Sequence, residues 1–167
     1  MQITSVCSYI CALKLNQQKE AKKEAKEWKL TRKGMQDKLK TLSDYEKEAK
    51  IEFQRFIRLR DSELPCISCR KMNCKDWAGG HYFSAGQYSG LMFEETNCHK
   101  QCNTYCNKFQ SGNLLEYRNG LLARFGAEYV KELEAKANTH RNYRYTKDEL
   151  IEIKQYYKDK CKEYGND

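Results

Sequence analysis

The distribution of hydrophobic and polar residues divides the chain into an N-terminal segment with a weak apolar stripe and a region of several amphipathic helices. Residues 13–40 are rich in Ala, Lys, Glu and Gln, a composition that favours a helix, and we expect an interruption at Gly34. Because the apolar stripe is thin, we interpret residues 1–42 as a basic helical arm that packs little. Residues 43–167 are then predicted to form a single domain.

Three segments of this domain show apolar residues at helical spacing. The first, residues 43–60, opens with a capping box, and we interpret its aromatic residues as core rather than as a base-stacking surface. The second, residues 114–137, is expected to break at Gly126. The third, residues 146–164, follows another capping box. These helices flank residues 65–113 and predict an α+β fold that is mostly helical.

Composition and charge narrow the classes of function. The chain has 167 residues, 32% of them charged, and a single proline, which favours a folded, helix-rich protein. Its formal charge of +8 favours a polyanionic partner, because cationic side chains release counterions from phosphates. The N-terminus shows no signal-peptide pattern, and no apolar run approaches the roughly 20 residues of a membrane span. We therefore expect a cytoplasmic protein without a membrane partner.

Six of the nine cysteines lie within residues 65–113. Paired cysteines in an intracellular protein are more often metal ligands than disulfides, so two pairs predict a structural zinc site: Cys66, Cys69, Cys102 and Cys106. The second pair has one more intervening residue than the common spacing, and Cys74 and Cys98 remain as alternative ligands or buried thiols. Cys7 and Cys11 are either half of an incomplete metal knuckle or buried thiols at a helix start.

The segment between the two cysteine pairs contains short motifs that carry a family resemblance. Gly-His81-Tyr precedes Phe93-Glu-Glu-Thr-Asn97-Cys-His99-Lys-Gln-Cys102, and two short strands with a following helix would make a zinc-braced ββα unit. With Cys106-Asn107 and the downstream string Ser111-Gly-Asn113-Leu-Leu-Glu-Tyr117-Arg, the chain resembles the NinG family of phage recombination nucleases, also called Rap. That family is placed among the HNH, or His-Me finger, nucleases, and the resemblance covers nearly the whole chain.

The resemblance implies a structure-specific endonuclease that hydrolyses phosphodiester bonds in branched DNA, such as Holliday junctions or D-loops, and a phage-encoded protein in the host cytoplasm. It implies that His81 is the general base, a role that suits an imidazole near neutral pH. It also implies that Asn97 holds the ring of that histidine and that Asn107 binds a catalytic Mg²⁺ or Mn²⁺.

One position departs from the HNH pattern. Many HNH enzymes have an aspartate directly before the base, whereas this chain has Gly80. We therefore take His99 as the candidate for the second ligand of the catalytic metal, with Asp76 behind it. Four basic residues are predicted to contact DNA: Lys100, Lys108, Arg118 and Arg124. A homodimer would suit symmetric cleavage of a junction, while a non-catalytic zinc-finger DNA-binding protein, or an RNA-binding ribbon, would use the same cysteines as a scaffold only.

Overall fold

The structure is a computed structural model that describes residues 8–165, and it separates the chain into two compact units between Thr41 and Leu42. The unit before this boundary contains one helix. The unit after it contains four α-helices and a two-stranded sheet within its described residues. This arrangement confirms a mostly helical α+β fold with a small sheet.

The first unit is the helix α1, Tyr9–Leu39, and none of its residues is buried. It begins after Ser8, whose hydroxyl accepts a hydrogen bond from the backbone N–H of Cys11 at 3.3 Å. The interruption expected at Gly34 is wrong, because α1 runs through this position and the glycine has open space around it. Strong helix formers on both sides outweigh the roughly 1 kcal/mol cost of one glycine. Cys7, half of the suggested N-terminal knuckle, lies outside the described residues.

Two long helices of the second unit pack against each other: α2, Leu42–Arg60, and α5, Lys147–Tyr164. The capping box at the start of α5 is confirmed, since Thr146 and Glu149 bond to each other's backbone N–H groups. These helices and the loop before the second strand form the first hydrophobic core, whose buried members are Ala49, Phe53, Phe56, Ile57, Met92, Phe93, Cys98, Leu150, Tyr157 and Cys161.

The sheet consists of β1, Trp77–His81, and β2, Cys98–Cys102, which pair antiparallel with His81 opposite Cys98. Because successive strand residues face opposite sides, His81 and His99 lie on different faces of this sheet. A π-helix, Asn103–Phe109, follows β2 directly.

Two shorter helices, α3, Leu114–Phe125, and α4, Ala127–Thr139, cover the other side of the sheet. The predicted break at Gly126 is confirmed, and its φ of +88° is a conformation that favours glycine. The second hydrophobic core lies here, with Ile67, Leu91, Tyr117, Leu121, Val130, Leu133 and Ala137 as its buried members. Gly120 lets α3 lie directly against the carbonyl of Ile67, because any side chain at this position would collide with that backbone. No helix in residues 8–165 is long and apolar enough to cross a bilayer.

Candidate functional site

The four cysteines predicted as zinc ligands meet in space and form what we call the cysteine cluster: Cys66, Cys69, Cys102 and Cys106. Their sulfur atoms all lie within 4.8 Å of one another. The Sγ atoms of Cys66 and Cys106 are 3.9 Å apart, and those of Cys69 and Cys102 are 3.7 Å apart. Four convergent thiols are a donor set that could hold a metal ion such as zinc.

The π-helix explains how the longer second pair can reach the cluster. A π-helix takes up one more residue per turn than an α-helix, and the N–H of Gln110 bonds to the carbonyl of Tyr105, five residues earlier, at 3.2 Å. Cys106 lies inside this wide turn and Cys102 directly before it. The additional residue between them is therefore accommodated without separating their sulfur atoms.

The electrostatics of the cluster are those of thiols that lack a counter-charge. Burial raises the pKa of the Cys66 thiol, but backbone N–H groups aimed at its sulfur outweigh burial and lower that pKa; the N–H of Cys102 lies 3.2 Å away. Burial, a hydrogen bond with Cys69 and the charge of Cys66 together raise the pKa of Cys106 to about 12. A cation at the centre would favour the thiolate form of every member.

The two alternative cysteines differ in their surroundings. Cys98 is fully buried in the first hydrophobic core, and this burial raises the pKa of its thiol well above the ordinary value, so it is a buried thiol rather than a ligand. Cys74 lies beside the cluster as a fifth cysteine, with its Cα atom 5.7 Å from that of Cys102.

A second feature is an open cleft of about 540 Å³, which we call the cleft. It brings together His81 at the end of β1 and Asn107 in the π-helix, which contacts both strands of the sheet. The other lining residues come from α2, from β1 and the loop after it, from the turn after the π-helix and from the first position of α3: Gln54, Gly79, Tyr82, Phe83, Ser84, Ala85, Gln87, Tyr88, Ser111, Gly112 and Leu114.

His81 is held in a defined tautomer. Its Nε2 lies 2.8 Å from the carbonyl oxygen of Met92, and because a carbonyl can only accept, Nε2 carries the proton. Nδ1 then keeps a free lone pair, with no partner among the described residues. Burial, with a contribution from the charge of Lys50, lowers the pKa of His81 below its ordinary value. The ring is therefore neutral at pH 7 and has one nitrogen able to take up a proton.

Asn107 offers an oxygen donor to the same cleft. Its Nδ2 group donates to Oδ1 of Asn103 at 3.4 Å, which leaves the Oδ1 carbonyl oxygen of Asn107 available. An amide oxygen is a suitable ligand for a hard divalent cation. The cleft thus holds an imidazole with a free ring nitrogen and an amide oxygen, and the roles of general base and metal ligand stay predictions for these two positions.

Asn97 acts on the histidine indirectly. It is fully buried; its Oδ1 accepts from the N–H of Phe83 at 2.8 Å, and its Nδ2 donates to the carbonyls of Phe83 and Leu91 at 2.9 and 3.1 Å. The prediction that Asn97 holds the ring of His81 is wrong in its contact, because the ring bonds to Met92. Asn97 instead fixes the loop that carries this carbonyl. A backbone oxygen has no sequence signal, so Met92 could not have been found from the sequence.

The glycine directly before His81 fits its tight surroundings. A side chain at Gly80 would collide with the side chain of Gln101, which is fully buried. Gln101 cannot easily move, since its amide donates to Ser68 at 2.7 Å and to the carbonyl of Gly112 at 2.6 Å. Position 80 therefore cannot supply the aspartate of the HNH pattern.

The candidates for a second catalytic-metal ligand lie elsewhere, and both predictions are wrong. His99 does not line the cleft but a separate pocket with Arg60, Asp61 and Tyr129, where both of its ring nitrogens have partners. Asp76 accepts hydrogen bonds from Thr104 and Asn103 and so caps the start of the π-helix. Strand alternation separates His99 from His81, which the motif alone could not show.

The four residues predicted to contact DNA differ in how exposed they are and in what they bind within the protein. Lys100 is 5% exposed, donates to the carbonyl of Ser62 and lies 4.4 Å from the centre of the Trp77 ring, so its prediction as a DNA contact is wrong. Arg124 is half-buried and donates to the carbonyl of Pro65. Arg118 is exposed but paired with Glu134 at 3.0 Å. Lys108, on the π-helix, is exposed beside the cleft residue Asn107.

Comparison with known proteins assigns this chain to a family. The family model described as "Bacteriophage Lambda NinG protein" matches residues 1–167. The chain belongs to the NinG family. Its relatives include the protein ninG of Escherichia phage lambda, 42% identical over 128 residues, or 77% of this chain and 61% of the relative. The protein ninG of Salmonella phage P22 is 41% identical over 125 residues, or 75% of this chain and 60% of the relative.

The chain thus spans about three fifths of the length of these NinG relatives. No solved structure matches it.

Proposed function

We propose that this NinG family member is a metal-dependent DNA endonuclease of phage recombination that hydrolyses phosphodiester bonds in branched DNA such as Holliday junctions and D-loops. The observation that carries the proposal is the cleft shared by His81, with a free Nδ1, and Asn107, with a free amide oxygen. The formal charge of +8 and the phage family support a nucleic-acid substrate.

In the proposed reaction, His81 removes a proton from a water molecule that attacks the phosphorus atom. The proton moves to Nδ1, a new bond forms between the water oxygen and phosphorus, and the bond to the leaving sugar oxygen breaks. Met92 keeps the ring oriented throughout, because its carbonyl holds the proton of Nε2. A Mg²⁺ or Mn²⁺ ion bound by Asn107 would supply stabilisation of the negative charge on the leaving oxygen.

The oxygen donors of the cleft suit a divalent cation that takes most of its ligands from water and from the substrate phosphate. Among the described residues that line it, the polar side chains are amides, hydroxyls and one imidazole, and none is a carboxylate. Mg²⁺ commonly keeps several waters and binds phosphate oxygens alongside few protein ligands. The cysteine cluster, by contrast, fits a closed structural zinc site that braces β2 and the π-helix.

Cleavage of a labelled four-way junction and a matched linear duplex tests the proposal, with and without added Mg²⁺ or Mn²⁺. We expect the junction to be cut only with the added cation and only by protein that retains His81. His140→Ala is the matched control, because His140 is exposed and lies outside the cleft. Equal cutting by the parent and His81→Ala would overturn the mechanism.

The lack of a carboxylate in the cleft favours one alternative, a non-catalytic zinc-finger DNA-binding protein in which the cysteine cluster is a scaffold. Metal-dependent turnover separates the two functions. Tight junction binding without cutting under any divalent cation would establish the scaffold function.

A further inference from the structure

The π-helix carries two exposed aromatic side chains, Tyr105 and Phe109, which we call the aromatic edge. Tyr105 is 54% exposed and Phe109 is 80% exposed. Aromatic rings have a large apolar surface and are usually buried or held in an interface. Two of them on a single seven-residue element therefore indicate a contact surface.

The aromatic edge lies next to the cleft along the chain. Phe109 is two residues after Asn107 and two before Ser111, and both of these line the cleft. The backbone here turns tightly, because the N–H of Gly112 bonds to the carbonyls of Cys106 and Asn107, each at 3.0 Å. Cys106 is in turn fixed in the cysteine cluster. Phe109 is therefore held on a braced turn at the border of the cleft, and Tyr105 lies one π-helical turn before it, beside Lys71.

The charges around the edge suit a polyanion. Nζ of Lys71 lies 5.7 Å from the centre of the Tyr105 ring, and exposed Lys108 directly precedes Phe109. Residues 98–115 contain no Asp or Glu. The nearby carboxylate of Asp76 is engaged by Thr104 and Asn103. Aromatic rings flanked by cationic side chains are typical of surfaces on which nucleic-acid bases stack.

We propose that the aromatic edge stacks on bases that are unpaired or unstacked at a DNA branch point, while Lys71 and Lys108 contact the adjoining phosphates. The inference rests on the proposed function and names the feature of the substrate that the protein recognises. A continuous duplex hides the faces of its bases in the stack, whereas a branch point exposes them. The edge would thus place the branch beside the cleft.

Binding without added divalent cation tests this inference separately from cleavage. The probes are a four-way junction with 2-aminopurine at the branch point, the matched linear duplex and an RNA hairpin with an unpaired loop. Fluorescence anisotropy gives affinity, and 2-aminopurine emission reports stacking. The variants are Phe109→Ala, Tyr105→Ala and the conservative Phe109→Trp, with Leu115→Ala as the control, since Leu115 is 74% exposed on α3.

We expect Phe109→Ala to weaken junction binding about tenfold, to abolish the 2-aminopurine change and to leave duplex affinity unaltered. Phe109→Trp should restore junction binding, and Leu115→Ala should change nothing. Equal loss on junction and duplex, no loss, or tighter binding of the RNA hairpin would overturn the inference. A stacking signal without any cleavage would support the inference while the nuclease proposal fails; cleavage with an unaffected Phe109→Ala variant would do the reverse.

Discussion

Two histidines on adjacent sheet positions of different strands have opposite environments. His81 lines the open cleft and has one bonded and one free ring nitrogen. His99 is 2% exposed and both of its ring nitrogens are engaged. Nη2 of Arg60, always a donor, lies 3.1 Å from its Nδ1, nearer than the Asp61 carboxylate at 3.6 Å. Nδ1 of His99 therefore accepts from Arg60, and Nε2 donates to Tyr129.

Burial lowers the pKa of both histidines, so the pKa shift alone does not tell them apart. The two histidines differ in whether a ring nitrogen is left without a hydrogen-bond partner. A neutral imidazole with a free lone pair in a cleft can take up a proton, whereas one whose nitrogens are both bonded in a buried network contributes to the fold. Under the proposed function, the comparison therefore favours His81 rather than His99 as the proton acceptor.

The largest expected effect is on cleavage. His81→Ala should lower single-turnover cleavage of a four-way junction by about 10³-fold, since the proton acceptor is lost. His99→Ala should lower it only in proportion to the unfolded fraction. An equal loss of activity in both variants, measured at a temperature where each is folded, would contradict the different roles of His81 and His99.

Stability should show the reverse order. His99→Ala removes a buried ring together with its hydrogen bonds to Arg60 and Tyr129 and should cost about 2–4 kcal/mol of unfolding free energy, measured by urea denaturation. His81→Ala should cost less, about 1 kcal/mol, because it breaks one hydrogen bond, to the carbonyl of Met92. Tyr129→Phe removes one hydroxyl from the His99 network and should fall between them. A His81→Ala variant less stable than His99→Ala would contradict the assignment.

The loop that orients His81 offers a smaller effect. Asn97→Ala leaves buried backbone groups of Phe83 and Leu91 unsatisfied and should cost about 2 kcal/mol of stability. Because the same loop carries the Met92 carbonyl, we also expect junction cleavage to fall about tenfold. Asn119→Ala, at an exposed position of α3, is the control. Unchanged cleavage would show that His81 does not depend on this loop.

The pH dependence gives the smallest effect. Because burial lowers the pKa of His81 below its ordinary value, the acid limb of the cleavage profile should lie at lower pH than the pKa of a free imidazole, with a decline of about tenfold per unit below the limb. The same shift means that the unfolded chain binds this proton more tightly, so stability also declines as pH falls. The profile should therefore be recorded together with circular dichroism. An acid limb centred above the pKa of a free imidazole would indicate another base.

The predictions from sequence were most accurate where the signal is local. The capping box at Thr146, the break at Gly126 and the two cysteine pairs each depend on residues close together in the chain, and the structure confirms them. The family resemblance also singled out His81 and Asn107; the two residues line one cleft, and their predicted roles stay predictions.

Two errors are local: α1 runs through Gly34, and α2 begins at Leu42, so Ser43 does not start it with a capping box. The other errors concern which face of the sheet or which partner a side chain meets. His99, Asp76 and Lys100 carry suitable chemistry, but strand alternation, a cap and a buried backbone contact direct them away from the cleft. The contact between Cys74 and Cys102 likewise joins residues 28 positions apart, and no spacing rule predicts it.

The sequence by itself determined the helices, the cysteine pairs and the basic character of this NinG family member, since these follow from periodicity, capping and charge. The tertiary structure decided which histidine is available for chemistry, because burial and hydrogen-bond partners come from segments distant in the chain. It also placed Gly80 against the buried side chain of Gln101, and it formed a π-helix that accommodates the additional residue between Cys102 and Cys106. Packing and strand register cannot be read from short stretches of sequence, because they depend on contacts between residues that are distant in the chain.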